Sequence, residues 1–341
     1  MAMPITEILQ NAWNRRESLR ARTGAYRLLN GGASETPGLA VDVFSEYLVV
    51  YAYETDLPAH YPGLTEALER VTGAKGAAVK DRAAADESGR ESGRDLYGTV
   101  PETIEVEEGP ADAGGAAAGA GRLRFNIHLR HPRNVGLFLD TRPLRDILRT
   151  SSAGSSVLNL FSYSCSLGAA AGIGGAAGVV NVDISARYLG WGRENFRLCG
   201  LPEERSKFTR MDGEDYLDWA ARKAIAYDII VLDPPSFARA DGKTFSFEKD
   251  YFRLLGKAAG RLRPGGRVYA VTNYGGIPPA RFREGVEAAL GGAGRKCSRL
   301  RAIGLPGDFD PGPDGQPRPY AGAARQGSRE GAFLALEATV D

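Results

Sequence analysis

Val157-Leu-Asn-Leu-Phe-Ser-Tyr-Ser-Cys-Ser-Leu-Gly168 decides the fold. Val157 to Phe161 is a short apolar run of strand type, Ser162 to Ser166 is a polar turn, and the Ala-rich stretch Leu167 to Ala171 reads as the helix that follows. About 20 residues beyond the turn, Val179-Val-Asn-Val-Asp183 is a second apolar run ending on a carboxylate, where open α/β sheets place the acid that accepts hydrogen bonds from ribose hydroxyls. Ile229-Ile-Val-Leu-Asp233 repeats the pattern, and Arg267 to Thr272, entered through Pro264-Gly-Gly266, is a fourth run. Polar residues at strand carboxyl ends line the crevice in which such sheets bind ligands. The predicted class is therefore α/β, with Asp183 as the ribose candidate.

The turn restricts the ligand. Gly172-Ile-Gly-Gly-Ala-Ala177 fits the loose dinucleotide pattern G-x-G-x-x-A, but it comes after the helix and just before the second strand. A phosphate-binding turn has to follow the first strand and open a helix, so that N–H groups at the helix N-terminus meet the pyrophosphate. The turn in that place holds Ser, Tyr and Cys and no glycine before Gly168, which suits a nucleoside ligand without phosphates, such as S-adenosylmethionine. The Gly172 cluster is predicted to be the C-terminal turn of the helix.

At 341 residues the chain is long enough for about two domains with substantial cores. With 25% charged and 43% hydrophobic residues, its composition is that of an ordinary soluble globular protein. Cys165, Cys199 and Cys297 have neither disulfide-framework nor zinc-site spacing, which predicts a reducing cytoplasm and no metal site. Met1-Ala-Met-Pro-Ile-Thr6 lacks a signal pattern, and no stretch approaches about 18 consecutive apolar residues, so neither secretion nor a membrane span is expected. The net charge of +1 says little about partners. Arg15, Arg16, Arg20 and Arg22 form one basic cluster, and Arg122 to Arg133 alternates basic with apolar residues like a strand with one cationic face. Two such clusters flanking a small domain point toward a polyanionic substrate, with a solvated surface as the alternative.

The organisation follows. Residues 4–22 read as a helix, with Ile5, Ile8, Leu9 and Trp13 at helical spacing. Tyr26 to Val100 alternates strands with one helical stretch, Pro62 to Thr72, and Glu107 to Gly121 is a low-complexity hairpin tip or loop. Leu137 to Thr150 bridges into the larger domain, Gly304 to Gln326 is a Pro-rich loop over the site, and Gly331 to Glu337 is the last strand. The expected division is 1–23 as an N-terminal helix, 24–133 as a small α/β domain suited to substrate recognition, and 134–341 as the nucleotide-binding domain. A dimer through the small domain is open, since no residue pattern demands it.

Tyr26-Arg-Leu-Leu-Asn-Gly-Gly32 with Pro37-Gly-Leu-Ala-Val-Asp42, then Gly136-Leu-Phe-Leu-Asp-Thr-Arg142, then Leu158 to Tyr163, then Asp233-Pro-Pro-Ser-Phe237 occur in this order over most of the chain. The set resembles bacterial large-subunit ribosomal RNA methyltransferases of the RlmI and RlmK type. That resemblance implies a seven-stranded Rossmann-like class I methyltransferase sheet preceded by a small α/β domain, with S-adenosylmethionine as methyl donor and RNA, ribosomal RNA first, as substrate. RlmI-like members begin with an RNA-binding PUA domain, and the residues before Tyr26 are too few for one, so an RNA acceptor and a small-molecule or protein acceptor both stay open. RlmI-like proteins also carry a cysteine after the fourth strand, where this chain has Val271-Thr-Asn-Tyr-Gly275. Carbon methylation of cytosine needs a thiolate to add to the ring first, and Asn273 cannot supply it, so direct transfer to a nitrogen is expected.

The resemblance also assigns residues. Asn159, Phe161, Ser162 and Tyr163 of the turn, then Asp183 and Ile184, are expected to bind the cofactor. Asp212 matches the acid that receives the adenine amino group, with the Gly213 backbone beside it. Asp140 and Arg142 match a segment near the methionine end, with a helix cap and salt bridge as the alternative. Asp233 and the carbonyl of Pro234 are expected to accept hydrogen bonds from an exocyclic N–H of the substrate, and Phe237 to stack on an extruded base. Cys165 has a minor claim as a nucleophile, and none of the three histidines is assigned a role.

Overall fold

The computed structural model describes residues 3–30, 36–53, 60–82, 94–110, 121–132, 134–240, 243–309 and 330–341. Contacts divide the chain into two units, Met1–Asp140 with Pro306–Ser328, and Thr141–Leu305 with Arg329–Asp341. The N-terminal helix is part of the first unit's core and forms no separate piece, and the segment from Pro306 returns to that unit from the far end of the chain. Most of the predicted Pro-rich loop and the Gly-rich tip at 111–120 lie outside the described residues.

In the first unit the helix predicted over 4–22 is split into α1 (Ile5–Arg15) and α2 (Glu17–Arg20). The break falls at Arg16, which is buried and donates to the carbonyls of Ala12, Arg27 and Asp308. Then come β1 (Ala25–Leu29), β2 (Leu39–Phe44), β3 (Tyr47–Ala52), α3 (Leu64–Thr72), β4 (Gly76–Asp81) and β5 (Arg94–Gly98). The five strands form one sheet in sequence order, antiparallel except where α3 carries the chain between the parallel β3 and β4. Ile8, Leu9 and Ala12 of α1 pack with Leu28, Val41, Val50 and Leu68, and each leucine sealed there contributes about 1.5–3 kcal/mol. The Tyr26 and Asp42 motif is structural. Arg27 pairs with Asp42 at 2.5 Å, both side chains buried, and lies 4.7 Å over the Phe309 ring, while Asn30 donates to Phe309 O at 2.7 Å.

A separate hairpin, β6 (Thr103–Glu108) and β7 (Leu123–His128), corrects the expectation of a cationic strand face. Its register sets Glu107 opposite Arg124 and brings Arg124 to 3.2 Å from Glu107 and 3.6 Å from Glu105, with Arg122 3.4 Å from Glu107. Three members of the first cluster are committed as well, since Arg16, Arg20 and Arg22 donate to backbone carbonyls, while Arg15 is exposed. Basic residues close in sequence are here stapling groups, which spacing alone does not reveal.

The second unit runs α4 (Arg142–Ser151), β8 (Ser156–Leu160), α5 (Ser166–Ile173), β9 (Gly178–Asp183), α6 (Ala186–Leu198), β10 (Ser206–Arg210), α7 (Gly213–Arg222), β11 (Tyr227–Leu232), β12 (Phe237–Ala240), β13 (Lys243–Ser246), α8 (Phe247–Ala259), β14 (Leu262–Tyr274), α9 (Pro279–Gly292), β15 (Cys297–Ile303) and β16 (Glu330–Val340). Seven strands make one sheet in the order β10-β9-β8-β11-β14-β16-β15. Pairing is parallel from β10 to β14, and β16 enters antiparallel between β14 and β15. Strand order reverses between β8 and β11, the switch point at which open sheets hold ligands. Leu158, Leu160 and Val182 face one core with Leu217, Ile230, Leu254, Val268 and Leu336. The Gly172 cluster ends α5, with Gly174 at its C-terminus and Gly175 at φ 81°. A Cβ on Gly174 would sit 2.6 Å from Leu148 O, so α4 and α5 touch there through backbone.

Candidate active site

Phe161, Tyr163 and Cys165, with φ 56°, 48° and 60°, are left-handed in the turn after β8. Side chains rarely adopt this conformation, which costs about 1–3 kcal/mol at each such residue. Fixed bonds hold it: Ser162 N–H donates to Val182 O at 3.0 Å, Tyr163 N–H to Asp183 Oδ2 at 2.9 Å, and Cys165 N–H to Ser162 O at 2.7 Å. These bonds take up the N–H groups of Ser162, Tyr163 and Cys165, so the turn is fixed from within the protein.

Asp183 closes β9. Its Oδ2 takes the Tyr163 N–H and its Oδ1 takes Ser185 N–H at 2.8 Å, which leaves each oxygen one further lone pair. Burial raises its carboxyl above the ordinary value and the two N–H bonds pull it back. Beside it Ile184 is 40% exposed, unusual for a large apolar side chain at a strand end. After β10, Asp212 caps α7, its Oδ1 accepting from Glu214 N–H at 3.0 Å and Asp215 N–H at 3.2 Å. The next residue packs closely on the turn, since a Cβ on Gly213 would lie 2.8 Å from Phe161 Cζ.

At the end of β11, Asp233 and Pro234 lead through Pro235 into the β12–β13 hairpin. Ser236 is 8% exposed and its Oγ donates to Asn273 Oδ1 at 2.8 Å, tying this turn to the end of β14. Phe237 is 41% exposed, with the Arg239 guanidinium 5.2 Å from its ring centroid, and Phe245 of β13 lies 6.1 Å from Phe161. Burial first and the charge of Asp233 second push the Tyr251 phenol well above its ordinary range. It stays protonated and donates to Val271 O at 2.9 Å, anchoring β14.

A fold and a rim of this kind occur in known proteins. The family model for S-adenosylmethionine-dependent methyltransferases matches residues 38–292. The chain belongs to that family. This methyltransferase is 30% identical over 288 residues to YwbD of Bacillus subtilis, provisionally named a ribosomal RNA large subunit methyltransferase, covering 84% of this chain and 70% of that protein. It is 30% identical over 269 residues to the ribosomal RNA large subunit methyltransferase K/L of Pseudomonas paraeruginosa, covering 77% of this chain and 34% of that protein, so it spans about a third of the K/L proteins' length. Among solved structures, SMU.776, provisionally a methyltransferase and crystallised with SAH, superposes with a TM-score of 0.79 at 26% identity over 97% of this chain and 80% of that one. The methyltransferase has the class I fold and uses S-adenosylmethionine.

Its predicted site residues are placed as follows. Phe161, Ser162, Tyr163, Asp183, Ile184, Asp212, Gly213, Asp233, Pro234 and Phe237 all lie at or just beyond the carboxyl ends of β8 to β11. Asn159 lies beneath them at 1% exposure, its Nδ2 donating to Asn181 Oδ1 at 3.0 Å. Arg142 opens α4 and is buried, while Asp140 ends the first unit. Cys165 is buried, and burial pushes its thiol up to about 12, so it is a protonated packing group facing Gly192. Sequence reasoning did not find Asn181, Tyr251, Phe245 or the Ser236–Asn273 bond. Only Asn181 left a signal, as a polar residue inside the apolar run of β9.

Proposed function

We propose that this chain transfers the methyl group of S-adenosylmethionine directly, in line, to a nitrogen of a base in ribosomal RNA. The observation that carries the nitrogen assignment is the position of its thiols. Cys165 is sealed under the turn, Cys199 caps the end of α6 and Cys297 opens β15 at the sheet edge. Asn273 is the penultimate residue of β14, exposed and engaged with Ser236. None of these can add to a pyrimidine ring at the rim of β11. The names of YwbD and of the K/L proteins support RNA as the acceptor class, and with it a cytoplasmic site of action.

The residues fit the cofactor on two observations. Each Asp183 oxygen keeps a lone pair beyond its bond to Tyr163 or Ser185 N–H, and Gly213 lets the Phe161 ring of the turn pack against the start of α7. In this reading Asp183 accepts from the ribose hydroxyls and Ile184 covers one face of the adenine. Asp212 and the Gly213 backbone take the adenine edge, and the turn Phe161 to Tyr163 takes the methionine end with help from Arg142. Asn159 acts from beneath by fixing Asn181. When bound, S-adenosylmethionine supplies an electrophilic methyl on sulfur. The chain's task is then to hold the acceptor close and aligned. Asp233 and Pro234 O accept from its N–H groups, Phe237 stacks on its base, and Ser236 and Asn273 fix the turn that carries all three.

The test is incubation with methyl-labelled cofactor and, in parallel, large-subunit RNA, assembled subunits, transfer RNA and a small-molecule extract, followed by nucleoside analysis. An N-methylated base is expected. 5-Methylcytosine would overturn the nitrogen assignment, and label in no RNA fraction with cofactor binding intact would transfer the reading to a small-molecule or protein acceptor.

A further inference from the structure

Most of the described basic residues conspicuous in the sequence are committed to carboxylates and carbonyls, and a second group of arginines lies elsewhere without such partners. α6 carries Arg187, Arg193 and Arg197, and β10, the outer strand of the seven-stranded sheet, ends on Arg210. All four arginines are exposed. Among the described residues none has a carboxylate within ion-pair distance. Several other cations in this unit are paired, Arg253 and Lys257 with Glu214, Arg263 with Asp228 and Arg301 with Glu337, whereas Lys223, Lys249 and Lys296 are exposed without an ion pair among the described residues.

Three of the four are nonetheless held in place. The Arg193 guanidinium lies 5.0 Å over the Phe208 ring and Arg187 lies 5.4 Å over Trp191. Stacking of this kind fixes a guanidinium while leaving its charge and outer N–H donors available. Arg193 and Arg197 are one helical turn apart on the exposed side of α6, whose opposite side buries Leu189, Gly192 and Phe196. Register places Phe208 beside Asn181 and Arg210 beside Asp183, so Arg210 emerges on the same face of β10 as Phe208.

The stripe also has a direction. Its upper end is at the candidate cofactor rim, where Arg210 Nε donates to Ile184 O at 3.2 Å and Arg187 follows Asp183 by four residues. From there α6 descends the sheet edge, and Arg187 to Arg197 spans about 15 Å at 1.5 Å per residue. Duplex phosphates repeat about every 3.4 Å per strand, so the stripe matches about four of them. Exposed, unneutralised arginines spread over this length suit a repeating anion better than a single small one.

We propose that the exposed face of α6 together with β10 is a docking surface for the sugar-phosphate backbone of RNA, holding the strand that flanks the nucleotide presented at the β11 rim. This rests on the RNA reading above. It adds which surface bears the polyanion, and it moves that role away from the β7 strand and the N-terminal arginines.

The test is the salt dependence of binding to a large-subunit RNA fragment, measured by fluorescence anisotropy with the full chain. In the Arg193→Gln/Arg197→Gln protein the slope of log Kd against log salt is expected to fall by about 1.4–1.8, at about 0.7–0.9 per phosphate contact. S-adenosylhomocysteine binding and the melting temperature are expected to stay at wild-type values. Arg253→Gln, which removes a cation already paired with Glu214, is expected to leave the slope unchanged. Arg197→Gln alone, at a side chain without a stacking partner, covers misfolding of the double variant, with a slope change of about 0.7–0.9. An unchanged slope in both Arg197-containing variants, with wild-type RNA binding intact, would sink this surface and leave the RNA reading standing. Wild-type protein that binds cofactor but no RNA would sink both, and loss of binding only to an acidic protein would reassign the stripe.

Discussion

Ser236 Oγ donates to Asn273 Oδ1 at 2.8 Å, so the turn after β11 is tied to the end of β14 by one side-chain hydrogen bond. A net bond of this kind is worth about 1 kcal/mol. Asn273→Ala should therefore slow methyl transfer about fivefold while leaving the Kd for S-adenosylhomocysteine unchanged. A tighter or weaker cofactor Kd with unaltered turnover would remove Asn273 from acceptor positioning.

Asp183 is the carboxylate on which the cofactor assignment depends most. Asp183→Ala removes the acceptor for Tyr163 N–H and Ser185 N–H as well as the proposed ribose partner. Hydrogen bonds to a charged group are worth about 1.5–3 kcal/mol each, so calorimetry should show cofactor affinity weaker by about 100-fold or more. Wild-type affinity in a folded Asp183→Ala protein would exclude the carboxylate from the site.

Gly213→Ala places a Cβ 2.8 Å from Phe161 Cζ, and the left-handed backbone of Phe161 limits how far that ring can give way. Overpacking of this kind costs about 1–3 kcal/mol, readable in urea unfolding. The double change with Phe161→Leu should recover much of the loss. A substitution that proves neutral would show the contact to be softer than its geometry implies.

Cys165 should be silent in catalysis. Buried and with its thiol up at about 12, it is expected to react with iodoacetamide far more slowly than Cys199 or Cys297, which are partly exposed. Cys165→Ala should keep methyl transfer within about threefold, since no reacting group is removed. Loss of turnover with intact cofactor binding would restore it as a nucleophile.

Acid stability should report the α7–α8 contact. Hydrogen bonds from Arg253, then from Lys257, hold the Glu214 carboxyl down at about 2 against burial that raises it. A depressed folded value means the stabilisation is full above the ordinary glutamate range and fades as pH falls toward about 2. Because the partners are partly exposed the contribution is about 1 kcal/mol or less. Glu214→Gln should lower the melting temperature at neutral pH and flatten its decline through that acid window. An unchanged acid profile would mean that another group dominates.

The sheet was legible where chemistry and hydrophobicity coincide. β8, β9, β11, β14 and β16 are apolar runs, and the first three lead directly into the turn or acid that marks the rim. β10, Ser-Lys-Phe-Thr-Arg, and β15, Cys-Ser-Arg-Leu-Arg-Ala-Ile, are half-exposed outer strands whose residues resemble a loop. Spatial order was beyond local reading because it is set by which apolar faces meet. The carboxylates were visible because strand ends are visible. The Phe161–Gly213 contact was not, because it requires a backbone conformation that no residue type at 161 or 163 announces. The basic clusters misled for a related reason, since a charge's partner across a hairpin is not its neighbour in sequence.

β16 lies between β14 and β15, both of which precede it in the chain. During synthesis the parallel half of the sheet can assemble while the groove for β16 still lacks its occupant, leaving the outward N–H and C=O row of β14 without a ladder partner. Such an edge recruits any extended segment that reaches it, and pairing across a long chain separation forms late. The nascent polypeptide therefore has a defined window of vulnerability that ends only when β16 leaves the ribosome. Destabilising changes in β16 should first appear as poor yield and inclusion bodies, ahead of any defect in the purified enzyme.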